Sequence, residues 1–544
     1  MFTDIVAAVC IAWYIFIACV CGIGYVCLFL YYRQTPQRAA DLSFKSPGDI
    51  PNVTVIRPCK GLEPYLYECL ASTFHQDYPR DKIAVHFCVS SRSDPAYVTL
   101  TAVVRDHPGY NARIFVEEDD DGLANGDKKE SQYRQLLGPN PKIRNMSKAY
   151  RESGKNHLIW IIDCNVWVGR GVCARMVDRL CGFTRHGEAS ATPYKLVHHL
   201  PISVDVDTYS VINGRVDRQL TAPSSHDTGT AATPASRNTP ATLAQYGGGR
   251  LEEVFLSSSH AKMYVAINTV AVAPCIVGKS TMFRRSHLDH LTSQAALRDR
   301  KYKEAAPLEA RTGIDFFSHN ICEDHLIGDL LWKSRLPVTP DLPGNMRNHG
   351  LVFGDLAVQP ISSMSVTNYI SRRVRWLRVR KFTVPAATLV EPGTESFLCS
   401  AMGSYGLTTL ETTRIWAGTT WTAFWAWWGL SILCWMAVDW TVFLLLHSGR
   451  TVEAKGGDTN VPSFARPLST GSKARRKFTT WMVAWLGREA LALPVWLWAI
   501  WGGTTVAWRD GKYWVGLDMR VHEIKDRQRD MKGTNGHANK ERIQ

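Results

Sequence analysis

From Ile5 to Tyr32 the chain runs for 28 residues without a charge. As a helix that run would extend about 42 Å, more than a hydrocarbon core of about 30 Å, so it predicts a tilted membrane-spanning helix. It has no basic start and no small-residue cleavage site at its end, and it therefore reads as a retained signal anchor. From about residue 50 to 385 the pattern changes. Short apolar or β-branched runs, Val53 to Arg57, Ile83 to Val89, Ala112 to Val116 and Leu158 to Ile162, are separated by stretches long enough for helices. This rhythm predicts an α/β domain with a mostly parallel sheet. Apolar segments return after residue 395, at Ser396 to Leu410, Ile415 to Val438, Thr441 to Leu446 and, interrupted by Arg488 and Glu489, Phe478 to Trp508. The expected organisation is an anchor and linker over 1–49, a soluble domain over 50–385, membrane or interfacial helices over 386–508 and a basic tail over 509–544. Within the soluble domain, residues 219–249 are rich in Thr, Ala, Pro, Ser and Gly and predict a disordered insertion.

Composition narrows the classes. A chain of 544 residues is too long for a small binding module, and 21% charged residues exclude a polytopic transporter. The net charge of +14 could serve nucleic acid, but the basic residues crowd beside apolar stretches, which favours a bilayer surface. Fourteen scattered cysteines without a CxxC pair signal neither a disulfide framework nor a zinc ribbon. Arg33, Arg38 and Lys45 follow the first apolar run and no Lys or Arg precedes it, which places the soluble domain in the cytosol. The basic loop at Lys473, Arg475, Arg476 and Lys477 and the tail after Arg509 both favour that same side. One crossing at 479–508 cannot satisfy both, so a C-terminal segment is re-entrant, interfacial or paired. An interfacial position suits 383–412.

Candidate chemistry sits at strand ends. In open α/β sheets ligands bind beyond the carboxyl ends of strands, which selects Asp94, five residues after Val89, and Asp163, directly after Ile162. Four elements occur in order: SDPA at Ser93 to Ala96, NPK at Asn140 to Lys142, WIIDCN at Trp160 to Asn165 and Glu323-Asp324, followed by RRVRW at Arg372 to Trp376. Singly each has an ordinary explanation, since a Glu-Asp pair usually marks a solvated helix face and an Arg-Trp pair an interface anchor. Together they supply what transfer from a nucleotide diphosphate sugar requires: acids for the nucleoside and for a metal, a carboxylate base, and cations near the leaving phosphates.

These elements, with IRPCKGLEPYL, LVHHLP at Leu196 to Pro201, the run SSSHAKMYVAINTVAVAPCIVGKSTMFRR, CEDHLIG and WRDGKYW, resemble the ceramide glucosyltransferase family, in its fungal form, over almost the whole chain. The resemblance implies a nucleotide-sugar-binding, Rossmann-like glycosyltransferase A-type domain and inverting transfer of glucose from UDP-glucose to ceramide. Asp324 would be the base, Asp94 would contact the uridine, Lys142 the uracil or phosphates, and Asp163 the diphosphate and a divalent cation, Mg2+ or Mn2+. His198 would bind UDP-glucose, or else be a structural histidine; Cys275 would lie near the nucleotide, or else be an inert core residue. Arg372, Arg375 and Trp376 would steady the departing diphosphate. Glu323 is expected either to act on Asp324 by like-charge repulsion or to point to solvent, the second being favoured because adjacent helical residues do not share a face. At the end of the Leu158 to Ile162 run no DxD pair is present, since Cys164 and Asn165 follow Asp163. The partners implied are UDP-glucose, ceramide and the bilayer, with no nucleic acid, in the Golgi or endoplasmic reticulum membrane. A processive polysaccharide synthase and a catalytically silent membrane scaffold are the alternatives.

Overall fold

A computed structural model of the chain describes residues 2–42, 45–120, 137–184, 191–206, 209–212, 215–218, 243–293, 312–336, 345–454, 460–468, 474–508, 511–517 and 519–524. Helix α1 (Phe2–Tyr31) leads into an alternating body: β1 (Val53–Pro58), α2 (Leu66–Ala71), β2 (Ile83–Val89), α3 (Ala96–Asp106), β3 (Asn111–Val116), α4 (Pro141–Arg151), β4 (Leu158–Ile162), α5 (Val172–Cys181) and β5 (Tyr194–Asp205). A separate hairpin, β6 (Tyr209–Ile212) and β7 (Arg215–Arg218), precedes α6 (Leu243–Leu256), α7 (Ser259–Val270), β8 (Ser280–Arg284), α8 (Arg285–Thr292), α9 (Glu323–Lys333) and β9 (Arg347–Ile361). The remainder is α10 (Val366–Thr383), α11 (Pro385–Val390), α12 (Ser396–Thr409), α13 (Glu411–Ala417), α14 (Trp421–Leu446), α15 (Phe478–Trp501) and three short strands, β10 (Thr505–Trp508), β11 (Gly511–Val515) and β12 (Val521–Glu523).

The main sheet has the order β3-β2-β1-β4-β8-β5-β9. β3, β2, β1 and β4 are mutually parallel, β5 is parallel to β9, and only β8 runs against its neighbours β4 and β5. This is the expected mixed α/β architecture, and the four strands read from the sequence fall where the apolar runs place them. Alternation within the strands divides the core. Val53, Val55, Val85, Phe87 and Trp160 pack with Leu70 of α2, Leu100 of α3 and Met176 of α5 on one face. Ile56, Cys88, Ile159 and Ile161 pack with Ile143 of α4, Leu288 of α8 and Ile327 of α9 on the other.

The insertion expected over 219–249 lies outside the described residues for 219–242, and its last residues differ from the expectation: 243–249 open α6. Their glycines serve close packing. A Cβ on Gly248 would come within 2.0 Å of Ser365 O, and one on Gly249 within 3.0 Å of the Asp205 carboxylate. Among the described residues three helices, α1, α14 and α15, are long and apolar enough to cross a membrane. α1 packs on α7 at Gly24, where a Cβ would lie 2.0 Å from Lys262 O, the small-residue approach that lets helix backbones touch.

Candidate active site

β4 ends at Ile162 and its antiparallel neighbour β8 begins at Ser280, so Asp163 and Lys279 face each other across the end of the pair. The Asp163 N–H donates to Lys279 O at 3.2 Å, and the Lys279 ammonium lies 2.9 Å from Asp163 Oδ2. Lys142 arrives from the first turn of α4. Pro141 starts that helix, and Asn140 caps it by accepting from the Lys142 and Ile143 N–H groups at 2.8 and 3.1 Å. The Lys142 ammonium then stands 3.1 Å from Asp163 Oδ1 and 3.1 Å from Glu323 Oε1.

Glu323 therefore does not point to solvent. It is buried at the start of α9, where the Asn140 Nδ2 donates to its Oε2 at 3.2 Å and to Asn320 O at 2.5 Å. The expectation considered α9 alone, whereas α4 packs against its first turn and supplies a cation. Asp324, one residue on, is half-buried and abuts Gly278: a Cβ there would come within 2.4 Å of Asp324 Oδ2. The short loop Cys275–Lys279 thus shapes the site twice, with a lysine on Asp163 and a bare backbone beneath Asp324.

Burial opposes charge on Asp163, Lys142 and Glu323, and the partners of each decide how far that goes. Asp163 is held well below the usual carboxylate range because Lys142 and Lys279 outweigh its desolvation. Lys142 is held above the ordinary lysine range by Asp163 and Glu323 against its own burial. Burial pushes Glu323 up, Lys142 opposes that, and the neighbouring Asp324 adds to it. Behind the site, fully buried Arg57 donates to the carbonyls of Asp163, Cys164 and Val166 at 3.2, 3.3 and 2.5 Å and so fixes the turn that carries Asp163.

The other sequence candidates are placed as follows. Asp94 spends Oδ1 on the N–H groups of Gly61 and Ala96 at 2.8 and 2.9 Å, tying the loop after β1 to the start of α3. His198 is fully buried, with Nδ1 2.6 Å from the Tyr264 hydroxyl and its ring stacked on His349. Burial holds it neutral, well below the usual histidine range. The Cys275 thiol is pushed up to about 11 by burial, and its carbonyl accepts from the Asn268 amide at 3.0 Å. Arg372 pairs with Glu252 of α6 at 3.0 Å and lies over the Trp376 ring at 4.8 Å, while Trp376 packs on Leu251 and Phe255. Arg375 shares their helix, α10. None of these contacts joins His198 or Arg372 to the lysine–carboxylate cluster.

Lys279 was not selected from the sequence. Its signal is a Gly-Lys-Ser that immediately precedes a strand, but only the antiparallel insertion of β8 beside β4 brings it to Asp163. The expected divalent cation would be held by Asp163 together with the oxygens of the donor diphosphate, one protein carboxylate being enough for a cation that the substrate carries. Each oxygen of Asp163 also faces an ammonium, and among the described residues no three His, Cys, Asp or Glu side chains converge as metal ligands.

The sequence model described as glycosyl transferase family 21 matches residues 14–210 and 304–521. A ceramide glucosyltransferase of Pyricularia oryzae is 47% identical over 94% of this chain and 94% of its own. Those of Gibberella zeae and Komagataella phaffii are 43% identical over 95% of this chain and 96% of their relative, and 32% identical over 96% and 92%, respectively. Among solved structures, a mannosyltransferase from Pyrobaculum calidifontis in complex with GDP-Man and Mn2+ aligns over 83% of this chain and 100% of its own, at 13% identity and a TM-score of 0.36. With a family match whose two segments contain the Lys142–Asp163 and the Glu323–Asp324 elements, and such relatives along nearly the full length, the chain belongs to glycosyl transferase family 21.

Proposed function

We propose that the protein transfers glucose from UDP-glucose to the primary hydroxyl of ceramide, with inversion, giving β-glucosylceramide and UDP. The observation that carries this reading is the convergence of Lys142, Lys279 and Asp163 with the Glu323–Asp324 turn at the ends of β4 and β8. The names of the relatives support the acceptor.

Asp324 takes the proton of the acceptor hydroxyl. The hydroxyl oxygen forms the new bond to the anomeric carbon as the bond to the UDP oxygen breaks on the opposite face, so a single displacement inverts the centre. Negative charge grows on the departing diphosphate, and the two ammonium groups of Lys142 and Lys279 are already oriented there. Glu323 keeps Lys142 charged and in place. Asp94 holds the loop at Gly61, which with the end of β1 borders the nucleoside side of the site. His198, Cys275 and the Arg372, Arg375 and Trp376 helix act one layer out, through Tyr264 and α6. The two lysines neutralise the charge of the departing diphosphate together with a divalent cation that Asp163 would hold on it, and the chelator arm of the assay below reads the cation's share.

The body faces the cytosol, where nucleotide sugars are available, on a Golgi or endoplasmic reticulum membrane whose leaflet delivers the lipid. The test is product formation by purified protein in ceramide micelles offered UDP-glucose, UDP-galactose or UDP-N-acetylglucosamine, each with Mg2+ or chelator. Glucosylceramide from UDP-glucose supports the reading. A lipid-independent polymer would favour a polysaccharide synthase, and no product with any donor would favour a scaffold.

A further inference from the structure

Helix α1 is a ruler for depth. Its Tyr31 end lies on the catalytic body, where Tyr31 stacks on Phe353 of β9 at 4.4 Å and Leu28 and Tyr32 join the core of β5 and β9. α14 runs parallel beside it: the Tyr14 hydroxyl is 2.8 Å from Ser431 Oγ, Thr441 Oγ1 lies 3.4 Å from the Tyr25 hydroxyl, and Leu445 and Leu446 reach the cluster of Leu28 and Tyr32. Trp421 therefore lies toward the Phe2 end, away from the body. The chain leaves the body at Thr383 and must cover that distance before residue 421. It does so along α1 itself. Trp13 Nε1 donates to Gly393 O at 2.8 Å, a Cβ on Gly403 would meet the Tyr14 ring at 2.7 Å, and one on Gly406 would meet Ile11 at 2.6 Å and Ala7 O at 2.9 Å.

α15 behaves differently. Arg476, just before it, pairs with Glu253 of α6 at 3.0 Å, and Trp485 Nε1 donates to Asp439 at 2.8 Å. Its far end returns to α10: Lys381 Nζ reaches Ile500 O at 3.2 Å and Gly503 O at 2.8 Å, and Arg378 reaches Gly502 O at 2.6 Å. β10–β12 then dock beside the start of α9, where Val521 N–H donates to His319 O at 2.8 Å and Asn320 Nδ2 to Met519 O at 2.9 Å. Both ends of α15 are thus fastened to the same body. Arg488 and Glu489 face inward, with Arg488 2.9 Å from Glu395, whereas Val483, Leu486, Leu493, Leu497 and Trp501 form an exposed stripe at helical spacing.

We propose that α15 enters and leaves the bilayer on the face that carries the catalytic body, with its exposed stripe against lipid acyl chains, and that the broken segment 384–417 makes the crossing in its place. The charge pattern agrees, since Arg475, Arg476 and Lys477 before α15 and the basic tail after it fall on one side. A crossing α15 would carry β10–β12 to the opposite face, away from His319 and Asn320. The bilayer contact of α15 thereby holds the loop that leads into Asp324.

The test uses full-length protein in sealed vesicles with an epitope tag after Lys155, after Gly418 or at the C-terminus, and each tagged protein is also assayed for product. Protease added outside should remove the tags at 155 and the C-terminus together, or spare both, with the tag at 418 behaving oppositely. A C-terminal tag that follows the 418 tag would overturn the proposal, as would a 418 tag that follows the body. If the C-terminal tag abolishes product, a tag at Gly503 replaces it, with the same two outcomes.

Discussion

Two of the clusters in which lysine or arginine meets carboxylate differ in access. At the strand ends the side chains of Asp163, Lys142, Lys279 and Glu323 remain 23, 13, 10 and 5% exposed. Among the apolar helices, Lys262 and Asp439 are each 1% exposed and 2.5 Å apart, and Arg488, also 1% exposed, pairs with Glu395. Both clusters hold charges in a low-dielectric surrounding. Only the first leaves its ammonium groups within reach of an incoming diphosphate and places a further carboxylate, Asp324, over bare backbone. The second has Trp485 Nε1 on Asp439 and the Trp435 ring under Lys262, so its charges are consumed in joining α7, α14 and α15. A charge cluster near a membrane is a site when something can approach it and a fastening when nothing can.

Four substitutions sharpen this contrast. Asp324→Asn should show the largest change, a fall in initial rate of about 10²–10⁴-fold, because the proton acceptor is lost; glucosylceramide formation measures it. Lys262→Met should lower thermal stability by about 3–5 kcal/mol, since Asp439 is left buried and unpaired. The surviving protein should keep its KM for donor, and the added change Asp439→Leu should recover much of the stability. Lys279→Met should reduce kcat/KM for the donor roughly 10–100-fold, the loss of one charge-assisted contact to phosphate, with thermal stability little altered. Gly278→Ala should be smallest, about a tenfold loss of kcat if the new Cβ displaces Asp324 by roughly 1 Å; KM for UDP-glucose should stay unchanged.

Much of the body was legible because its information is local. Short apolar or β-branched runs mark β1, β2, β3 and β4, and the rule that ligands sit beyond strand ends selects Asp163. Lys142 is implied by the family resemblance that Asn140-Pro141-Lys142 helps to carry, and the structure shows that run capping the start of α4. What escaped depends on partners distant in the chain. Glu323 looked solvated on its own helix, yet α4 comes from about 180 residues away to cover it. Lys279 needed the antiparallel insertion of β8 between β4 and β5, which no local pattern announces. Gly248 and Gly249 read as part of a loose insertion, but Gly248 packs on Ser365 and Gly249 on Asp205 too closely for a larger side chain to enter without a shift. Among the apolar segments, hydropathy treats α14 and α15 alike, and only their contacts separate them.

The division of labour at the site, with lysines holding the donor and Asp324 activating the acceptor, is tested most directly by titrating UDP-glucose into the wild-type protein, Asp324→Asn and Lys279→Met under equilibrium conditions. The account predicts equal affinity for wild type and Asp324→Asn and a weaker Lys279→Met. Affinity lost in Asp324→Asn and retained in Lys279→Met would contradict it.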